Sequence, residues 1–211
     1  MNLQFEAVIF DLDGTLIDTE SLALATGMAA FERVGNPVDE SFMHGLVGVD
    51  NPTANARIMA RFPALDFERL HKFWREGFDR GIENDLQLKP GVAELLPALI
   101  LPKAVATSSD RRSALYKIGR AGLAPHFPHV VSRDDVVSPK PAPDPFLHAA
   151  ELLGVDPSRC LAFEDSEIGS QAAMAAGMYV IQVPDFVPAT GQFAHHVAPD
   201  LLSGARHAGL I

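Results

Sequence analysis

Short apolar runs recur along the chain and predict the strands of a sheet. The runs are only four to seven residues long, which suits buried strands, and polar or turn-forming residues follow them. They are FEAVIF (5–10), KAVATSS (103–109), HVVS (129–132), CLAFED (160–165) and MYVIQVP (178–184).

Helical patterns separate the later runs. Apolar positions spaced as on one face of a helix occur in residues 110–123, 143–155 and 167–178. Strands that alternate with helices are typical of a parallel sheet that is covered by helices on both faces. The pattern therefore predicts the α/β class, with a doubly wound parallel sheet.

The region between residues 19 and 88 breaks this alternation. It contains no convincing strand, and its helical segments are 19–35, 39–47, 51–62 and 66–82. An insertion of about 70 helical residues indicates a separate small bundle. Residues 88–99, with Pro90 near a helix start, then re-enter the main fold. We therefore predict an α/β core of residues 1–18 and 89–211, and an inserted α-helical domain of residues 19–88.

The charge of the chain argues against nucleic acids and anionic membranes as binding partners. The chain has 17 Lys and Arg against 27 Asp and Glu, which gives a formal net charge of -10. Nucleic acids and anionic membranes are bound mainly through Lys and Arg, so we expect neither as a partner. An anionic substrate would need positive charge concentrated locally, as a metal ion or an isolated lysine.

The remaining composition indicates a cytoplasmic protein. Cys160 is the one cysteine, so we expect no intrachain disulfide. The N-terminal residues lack the pattern of a signal peptide, and no apolar run approaches the roughly 20 residues that span a bilayer. No stretch stands out as an interface, so we expect a monomer.

Polar side chains follow the predicted strands at the point where each strand ends. In open parallel sheets, ligands bind outside the carboxyl ends of the strands, so these side chains should meet at one edge. Carboxylates, a lysine and small hydroxyl groups together suit a hard cation beside an anion. The residues are Asp11, Asp13 and Thr15 after the first strand, Thr107, Ser108 and Ser109 after the second, Lys140 in a later loop, and Glu164, Asp165 and Ser166.

Four short motifs in this set carry a family resemblance. The motifs DLDGT, ATSSD, SPKPAPD and FEDS resemble, in order, the four motifs of the haloacid dehalogenase superfamily, in the branch with a helical cap inserted after the first motif. The resemblance covers nearly the whole chain. It implies a Rossmann-like core with a cap domain, and a Mg²⁺-dependent phosphatase that acts through an aspartyl-phosphate.

The resemblance also assigns roles to the acidic residues. It implies that Asp11 is the nucleophile that attacks phosphorus, and that Asp13 is the general acid and base. It implies a Mg²⁺ site formed by Asp11, the backbone carbonyl of Asp13, and Asp165. Glu164 would be a neighbour that joins the site or holds a water ligand.

The other polar residues would bind the phosphoryl group. The resemblance implies that Thr107 and Lys140 bind its oxygens and stabilise charge in the transition state. Thr15, Ser108 and Ser109 are further candidates for substrate binding. For the two serines, capping of the following helix stays an alternative.

Departures from the family pattern argue against two activities. Dehalogenating members lack the second aspartate of the first motif, whereas Asp13 is present here. Phosphonate-cleaving members need a cap lysine, and Lys72, the only lysine between residues 19 and 88, falls at an unsuitable position.

Two alternatives to a phosphatase stay open. Sugar phosphomutases of this branch carry a cap histidine and a basic pair, and here Ala23, Val47 and Asn51 occupy those positions. The other alternative is a non-catalytic protein that binds a phosphorylated ligand, although binding alone needs neither a nucleophile nor an acid.

The inserted domain should select the substrate. Asp50, Asn51, Asn55 and Arg57 lie near the expected cap loop, and Asn51 and Arg57 are our candidates for substrate contact. Polar groups of this kind suit a small hydroxylated metabolite. We therefore expect a sugar phosphate or a sugar-acid phosphate as the substrate.

Overall fold

The chain folds into two compact units. The computed structural model describes residues 5–46 and 51–211, apart from the side chain of Asn51. One unit joins Met1–Asp18 to Gln87–Ile211, and the other unit is Thr19–Leu86. The second unit thus ends at Leu86, whereas the sequence analysis places its end at residue 88.

A parallel sheet forms the centre of the first unit. Its strands are β1 (Ala7–Phe10), β2 (Lys103–Ala106), β3 (His129–Val131), β4 (Cys160–Glu164), β5 (Tyr179–Gln182) and β6 (His196–Val197). They lie in the order β3-β2-β1-β4-β5-β6, and every neighbouring pair is parallel. The order reverses at β1 and β4, as in a doubly wound sheet, so the predicted fold class is confirmed.

Helices connect the strands of the first unit and make up most of the second. They are α1 (Thr19–Arg33), α2 (Glu40–His44), α3 (Asn51–Arg61), α4 (Phe67–Asn84), α5 (Val92–Ala98), α6 (Arg111–Arg120), α7 (Asp144–Leu153), α8 (Glu167–Ala175) and α9 (Leu201–His207). Each helical segment that the sequence predicts contains one of them. No helix among the described residues is long and apolar enough to cross a membrane.

The sheet is buried on both faces. All four residues of β1 and all five of β4 are buried, as their unbroken apolar runs predict. Near the carboxyl ends of these strands, the Phe10 ring stacks on Phe163 with centroids 5.2 Å apart, and it meets Phe127 edge to face at 5.8 Å. This apolar layer supports the polar residues that follow β1 and β4.

The second unit is a small helical bundle centred on α1 and α4. The indole nitrogen of Trp74 on α4 donates to the carbonyl of Ala23 on α1, at 3.0 Å. The Phe31 ring on α1 lies 5.7 Å from that of Phe62, which directly follows α3, and 6.3 Å from that of Trp74 on α4, so aromatic side chains pack together inside the bundle.

The sequence pattern does not predict two elements of the first unit, strand β6 and helix α9. Strand β6 has two residues, His196 and Val197, which is too short to show a period of two. Helix α9 has seven residues and is capped by the Asp200 side chain, which accepts from the amide of Ser203. Short elements such as these leave little periodic signal in a sequence.

Candidate active site

The carboxyl ends of β1, β2 and β4 bring the predicted residues to one edge of the sheet. Asp11, Thr107 and Asp165 are the first residues after these three strands. Strands β1 and β4 pair directly, and the backbone amide of Asp11 donates to the carbonyl of Phe163 at 2.9 Å. Asp11 is therefore the neighbour of Glu164, the last residue of β4.

Lys140 joins the two strand ends. Its Nζ atom donates to Oδ1 of Asp11 at 2.6 Å and to Oε1 of Glu164 at 2.7 Å. The Lys140 side chain is only 2% exposed, and its ammonium group lies 4.8 Å from the centroid of the Phe146 ring. The buried ammonium therefore has two carboxylates and an aromatic face as its surroundings.

Glu164 is fixed by a second set of contacts. Its Oε2 atom accepts from the backbone amide and from the hydroxyl of Ser166, both at 2.8 Å. Ser166 also caps α8, since its hydroxyl accepts from the amide of Gly169 at 3.1 Å. Both oxygens of Glu164 are thus engaged, which suits a residue that holds Lys140 in place.

The charges of the buried groups act on one another. Burial raises the pKa of Asp11 to about 7; Lys140 opposes this shift, and the charge of Glu164 adds to it. Burial also raises the pKa of Asp165 well above its usual range, with Glu164 and Asp11 adding to the shift. For Lys140, burial disfavours the charged form, but Asp11 and Glu164 outweigh it and raise its pKa.

The same carboxylates fit a divalent cation. Asp11, Glu164 and Asp165 each offer a carboxylate oxygen, and these atoms lie within 4.8 Å of one another. When all three carboxylates are ionised, they exceed the charge of the one lysine by two in a mostly buried place. Mg²⁺ prefers such oxygen ligands and would offset the mutual repulsion of these carboxylates, which adds to the effect of burial on the pKa of Asp11 and Asp165.

The turn after β1 packs closely against Asp165. Gly14 has a φ of +86°, and a Cβ atom at this position would lie 2.5 Å from Oδ2 of Asp165. The hydroxyl of Thr15 donates to Oδ1 of Asp165 at 3.3 Å. On the other side, Nε2 of Gln182 donates to the backbone carbonyl of Asp165 at 3.2 Å. The sequence predicts Thr15 as a substrate ligand, and its hydroxyl here contacts Asp165.

Asp13 has its own partners, separate from the cluster around Lys140. The Nζ atom of Lys117 lies 2.6 Å from Oδ1 and 2.7 Å from Oδ2 of Asp13. The hydroxyl of Ser109 donates to Oδ2 of Asp13 at 2.8 Å and accepts from Lys117 at 2.7 Å. The Asp13 carboxylate is therefore oriented by one lysine and one serine.

The remaining predicted residues, Thr107, Ser108 and Ser109, lie in the loop after β2 and differ in their exposure and contacts. Thr107 is buried, and its hydroxyl accepts from the amide of Ser109 at 3.1 Å, whereas Ser108 is exposed. The cap of α6 is Asp110, whose side chain accepts from the amide of Ser113. Neither predicted serine caps this helix, so the capping alternative is wrong for both.

The candidate substrate residues of the inserted domain belong to the second unit. Arg57 is an exposed residue of α3, and its guanidinium donates to the carbonyl of Gly45. The side chain of Asn51 lies outside the described residues, as does Asp50. Contact between these residues and a substrate stays a prediction.

Sequence reasoning missed Lys117 as a partner of Asp13. Lys117 lies on the buried face of α6 together with Ala114 and Ile118. A charged residue at a core-facing position of an amphipathic helix is rare without a partner, so this position was a signal in the sequence. The identity of the partner depends on tertiary packing, because 104 positions separate Lys117 from Asp13.

Comparisons with known proteins identify the family. The haloacid dehalogenase-like hydrolase family matches residues 5–177. The chain is 34% identical over 177 residues to the phosphorylated carbohydrates phosphatase of Thermotoga maritima, with 82% of each chain covered. It is 33% identical over 185 residues to the fructose-1-phosphate phosphatase YqaB of Escherichia coli, and this match covers 85% of the chain and 97% of that enzyme.

A solved structure extends the similarity to the whole fold. The crystal structure of a HAD family hydrolase from Deinococcus radiodurans, with bound phosphate and sodium, superposes with a TM-score of 0.87. The two sequences are 26% identical, and the match covers 99% of this chain and 98% of that one. The prediction of a phosphoric monoester hydrolase of this superfamily is supported by the phosphatase names of the relatives. By family match, identity and fold, the chain belongs to the haloacid dehalogenase-like hydrolases.

Proposed function

We propose that the protein is a Mg²⁺-dependent phosphatase that hydrolyses small phosphate monoesters through an aspartyl-phosphate on Asp11. One observation carries the proposal: a buried aspartate follows the central strand, and a buried lysine binds its carboxylate at 2.6 Å, in a cluster of three acidic residues. The proposed nucleophile, a cationic group for the phosphoryl oxygens and the ligands for a divalent cation therefore lie close to one another.

The first half-reaction is assigned to Asp11 and Asp13. A carboxylate oxygen of Asp11 forms a bond to phosphorus, and the bond between phosphorus and the ester oxygen breaks. Asp13 donates its proton to the departing alkoxide, which leaves as the alcohol. Lys140 neutralises charge on the phosphoryl oxygens as they approach Asp11.

The second half-reaction restores the enzyme. Water attacks the phosphorus of the aspartyl-phosphate, and the Asp13 carboxylate takes the proton of that water. The bond between Asp11 and phosphorus breaks, so inorganic phosphate leaves and the Asp11 carboxylate is regenerated. Asp11, Asp165 and the Asp13 carbonyl would hold Mg²⁺, with Glu164 beside them; when bound, the ion offsets the negative charge of the carboxylates and the phosphoryl group.

The substrate class is proposed from the relatives and from the inserted domain. The phosphatases of Thermotoga maritima and Escherichia coli that match this chain are named for phosphorylated carbohydrates and for fructose 1-phosphate. A sugar phosphate or sugar-acid phosphate also suits the polar residues predicted for substrate contact, Asn51 and Arg57. Hydrolysis is favoured over a mutase reaction because Ala23 replaces the cap histidine of the mutases and has no group for proton transfer.

The test is phosphate release from a panel of sugar phosphates, phosphoglycolate and pyrophosphate, with Mg²⁺ or with EDTA. We expect Mg²⁺-dependent release by the wild type. We expect Asp11→Asn to lower the rate by about 10⁴-fold or more, the size of loss on removing a nucleophile. Turnover by Asp11→Asn at the wild-type rate would exclude the proposed intermediate.

Asp156→Asn is the matched control. It makes the same chemical change at the amino end of β4, where the Asp156 carboxylate accepts from the amide of Ser158 at 2.9 Å. This variant should keep the wild-type rate. An equal loss in both variants would indicate a general effect of charge or folding in place of a catalytic role for Asp11.

A further inference from the structure

The neighbouring carboxylates Asp11 and Asp13 are bound by different lysines. Lys140 donates to Asp11 at 2.6 Å, whereas Lys117 donates to both oxygens of Asp13, at 2.6 Å and 2.7 Å. Ser109 completes the second arrangement by donating to Asp13 at 2.8 Å. We call Lys117 and Ser109 the Asp13 clamp.

Lys117 is placed for this contact by helix α6. Its side chain is 8% exposed and lies on the buried face of the helix. A buried ammonium group is costly without acceptors, and the acceptors here are the Asp13 carboxylate and the Ser109 hydroxyl. The helix and the loop after β2 thus hold an aspartate that follows β1.

We propose that Lys117 is a positioning residue for proton transfer by Asp13. The proposal rests on the proposed function, in which Asp13 donates a proton to the leaving alkoxide and then accepts a proton from the attacking water. Proton transfer requires the carboxyl group within hydrogen-bond reach of the reacting oxygen, and a small displacement lowers the rate strongly. Two contacts from Lys117 and one from Ser109 restrict rotation about both side-chain torsions of Asp13.

This role makes the effect of a substitution depend on the leaving group. A poor leaving group, such as a sugar alkoxide, needs the proton from Asp13 as its bond to phosphorus breaks. A good leaving group, such as 2,4-dinitrophenolate, departs without it. Loss of the clamp should therefore slow formation of the aspartyl-phosphate from the sugar phosphate and spare its formation from the activated ester, whereas damage to Asp11, Lys140 or the metal site should slow both. Hydrolysis of the aspartyl-phosphate also uses Asp13 and is common to both substrates, so the comparison uses kcat/KM, which reports only the steps up to departure of the leaving group.

The experiment compares Lys117→Met with the wild type on two substrates. They are 2,4-dinitrophenyl phosphate and the sugar phosphate that the wild type hydrolyses fastest. Because a general acid or base contributes about 10²–10⁴-fold, we expect kcat/KM for the sugar phosphate to fall about tenfold or more and kcat/KM for the activated ester to change less than about threefold. Asp13→Asn should show the same selectivity, and the double variant should lose little more than Asp13→Asn alone.

Two further variants separate positioning from folding. Lys103→Met is the matched control, because the Lys103 ammonium donates to the carbonyls of Leu99 and Leu101 at the amino end of β2; it should leave the ratio of the two rates unchanged. If Lys117→Met fails to fold, Ser109→Ala removes one contact of the clamp and should shift the ratio in the same direction. Circular dichroism checks the fold of each variant.

The outcomes distinguish this proposal from the proposed function. A wild type that hydrolyses neither substrate would overturn both. A wild type that hydrolyses both, with clamp variants that slow the two substrates equally or leave both unchanged, would overturn only the role of Lys117. Faster sugar phosphate hydrolysis by Lys117→Met would also overturn it, because the clamp would then hold Asp13 in a position that is unfavourable for proton transfer.

Discussion

At the scale of single residues, Glu164 keeps its position because Gly169 has no side chain. A Cβ atom at position 169 would overlap the Glu164 carboxylate, whose Oε1 atom binds Lys140 at 2.7 Å. Gly169 lies in the first turn of α8, where alanine would otherwise be the better helix former. Local helix preference and the geometry of the site therefore favour different residues here.

We expect Gly169→Ala to lower both stability and activity. Overpacking of a filled site costs about 1–3 kcal/mol, and the direct overlap with Glu164 places this substitution in the upper part of that range, above the about 1 kcal/mol that alanine gains over glycine in a helix. The displaced Glu164 would release Lys140 from one of its two carboxylates, so kcat should fall as well. Urea unfolding and phosphate release measure the two effects.

Gly119→Ala is the matched control for this substitution. Gly119 also lies in a helix, α6, and an added Cβ atom there has no neighbour within 4 Å among the described residues. It should be neutral or stabilising, with unchanged turnover. Gly169→Ala with the stability and turnover of Gly119→Ala would show that Glu164 has room to move and that its position is not critical.

The sequence predicts the members of the site better than their contacts. Asp11, Thr107 and Asp165 follow strands of a parallel sheet, so their meeting at one edge follows from the strand pattern alone. The contact between Lys117 and Asp13 depends on the exact packing of α6, which no local pattern encodes. The same limit applies to Ser109, which the sequence predicts as a phosphate ligand and which here donates to Asp13.

At the scale of elements, the strength of the periodic signal decides what the sequence predicts. The buried strands β1, β2, β4 and β5 each contain three or more consecutive buried residues, and their apolar runs predict them. Strand β6 has two residues, and the short helix α9 follows a stretch without a clear pattern. Tertiary pairing with β5 defines β6 as a strand.

An ion pair links the segment that re-enters the first unit to the loop after β5. Lys89 donates to Oδ1 of Asp185 at 2.7 Å, with side-chain exposures of 17% and 12%. The amide of Lys89 also donates to the carbonyl of Leu16, so the same residue contacts the turn after β1. The other carboxylate oxygen of Asp185 is buried and has no partner among the described residues.

We expect Lys89→Met to destabilise the protein by about 2 kcal/mol, less than the about 3–5 kcal/mol lost when one partner of a fully buried pair is removed. The cost arises because the Asp185 carboxylate would stay mostly buried without its cation. Urea unfolding measures the loss. Lys72→Met is the control. The Lys72 side chain is 70% exposed and its Nζ atom lies 4.0 Å from Oε1 of Glu76, and exposed ion pairs of this kind contribute little to stability. Equal effects of the two substitutions would contradict a structural role for the Lys89 pair.

At the scale of the whole molecule, negative charge is in excess and part of it is buried. The net charge is -10, and Asp11 and Asp165 both have raised pKa values. In the folded protein, these two carboxyl groups keep their protons at pH values at which the same groups of the unfolded chain have lost them. The stability of the metal-free protein should therefore fall as the pH rises from about 4 to about 7. The raised pKa of Lys140 adds no pH dependence in this window, because the lysine is charged in both states there.

A divalent cation should reverse this trend, because it binds the ionised carboxylates. Raising Mg²⁺ to about 100 times its dissociation constant adds about 2.7 kcal/mol of stability. For a chain of this size, that corresponds to a rise in Tm of roughly 5–10 °C. Protons compete with the metal at low pH, so we expect most of this rise at about pH 8 and little of it at about pH 5.

Thermal unfolding with MgCl2 or with EDTA at the two pH values checks this expectation. Asp165→Asn removes one acidic ligand and should abolish most of the rise in Tm, while Asp156→Asn, at the other end of β4, should keep it. A rise of equal size at both pH values, or one retained in Asp165→Asn, would place the bound ion elsewhere on this acidic chain. A pH-dependent rise lost only with Asp165 would tie the buried charge excess to metal binding, independently of any substrate.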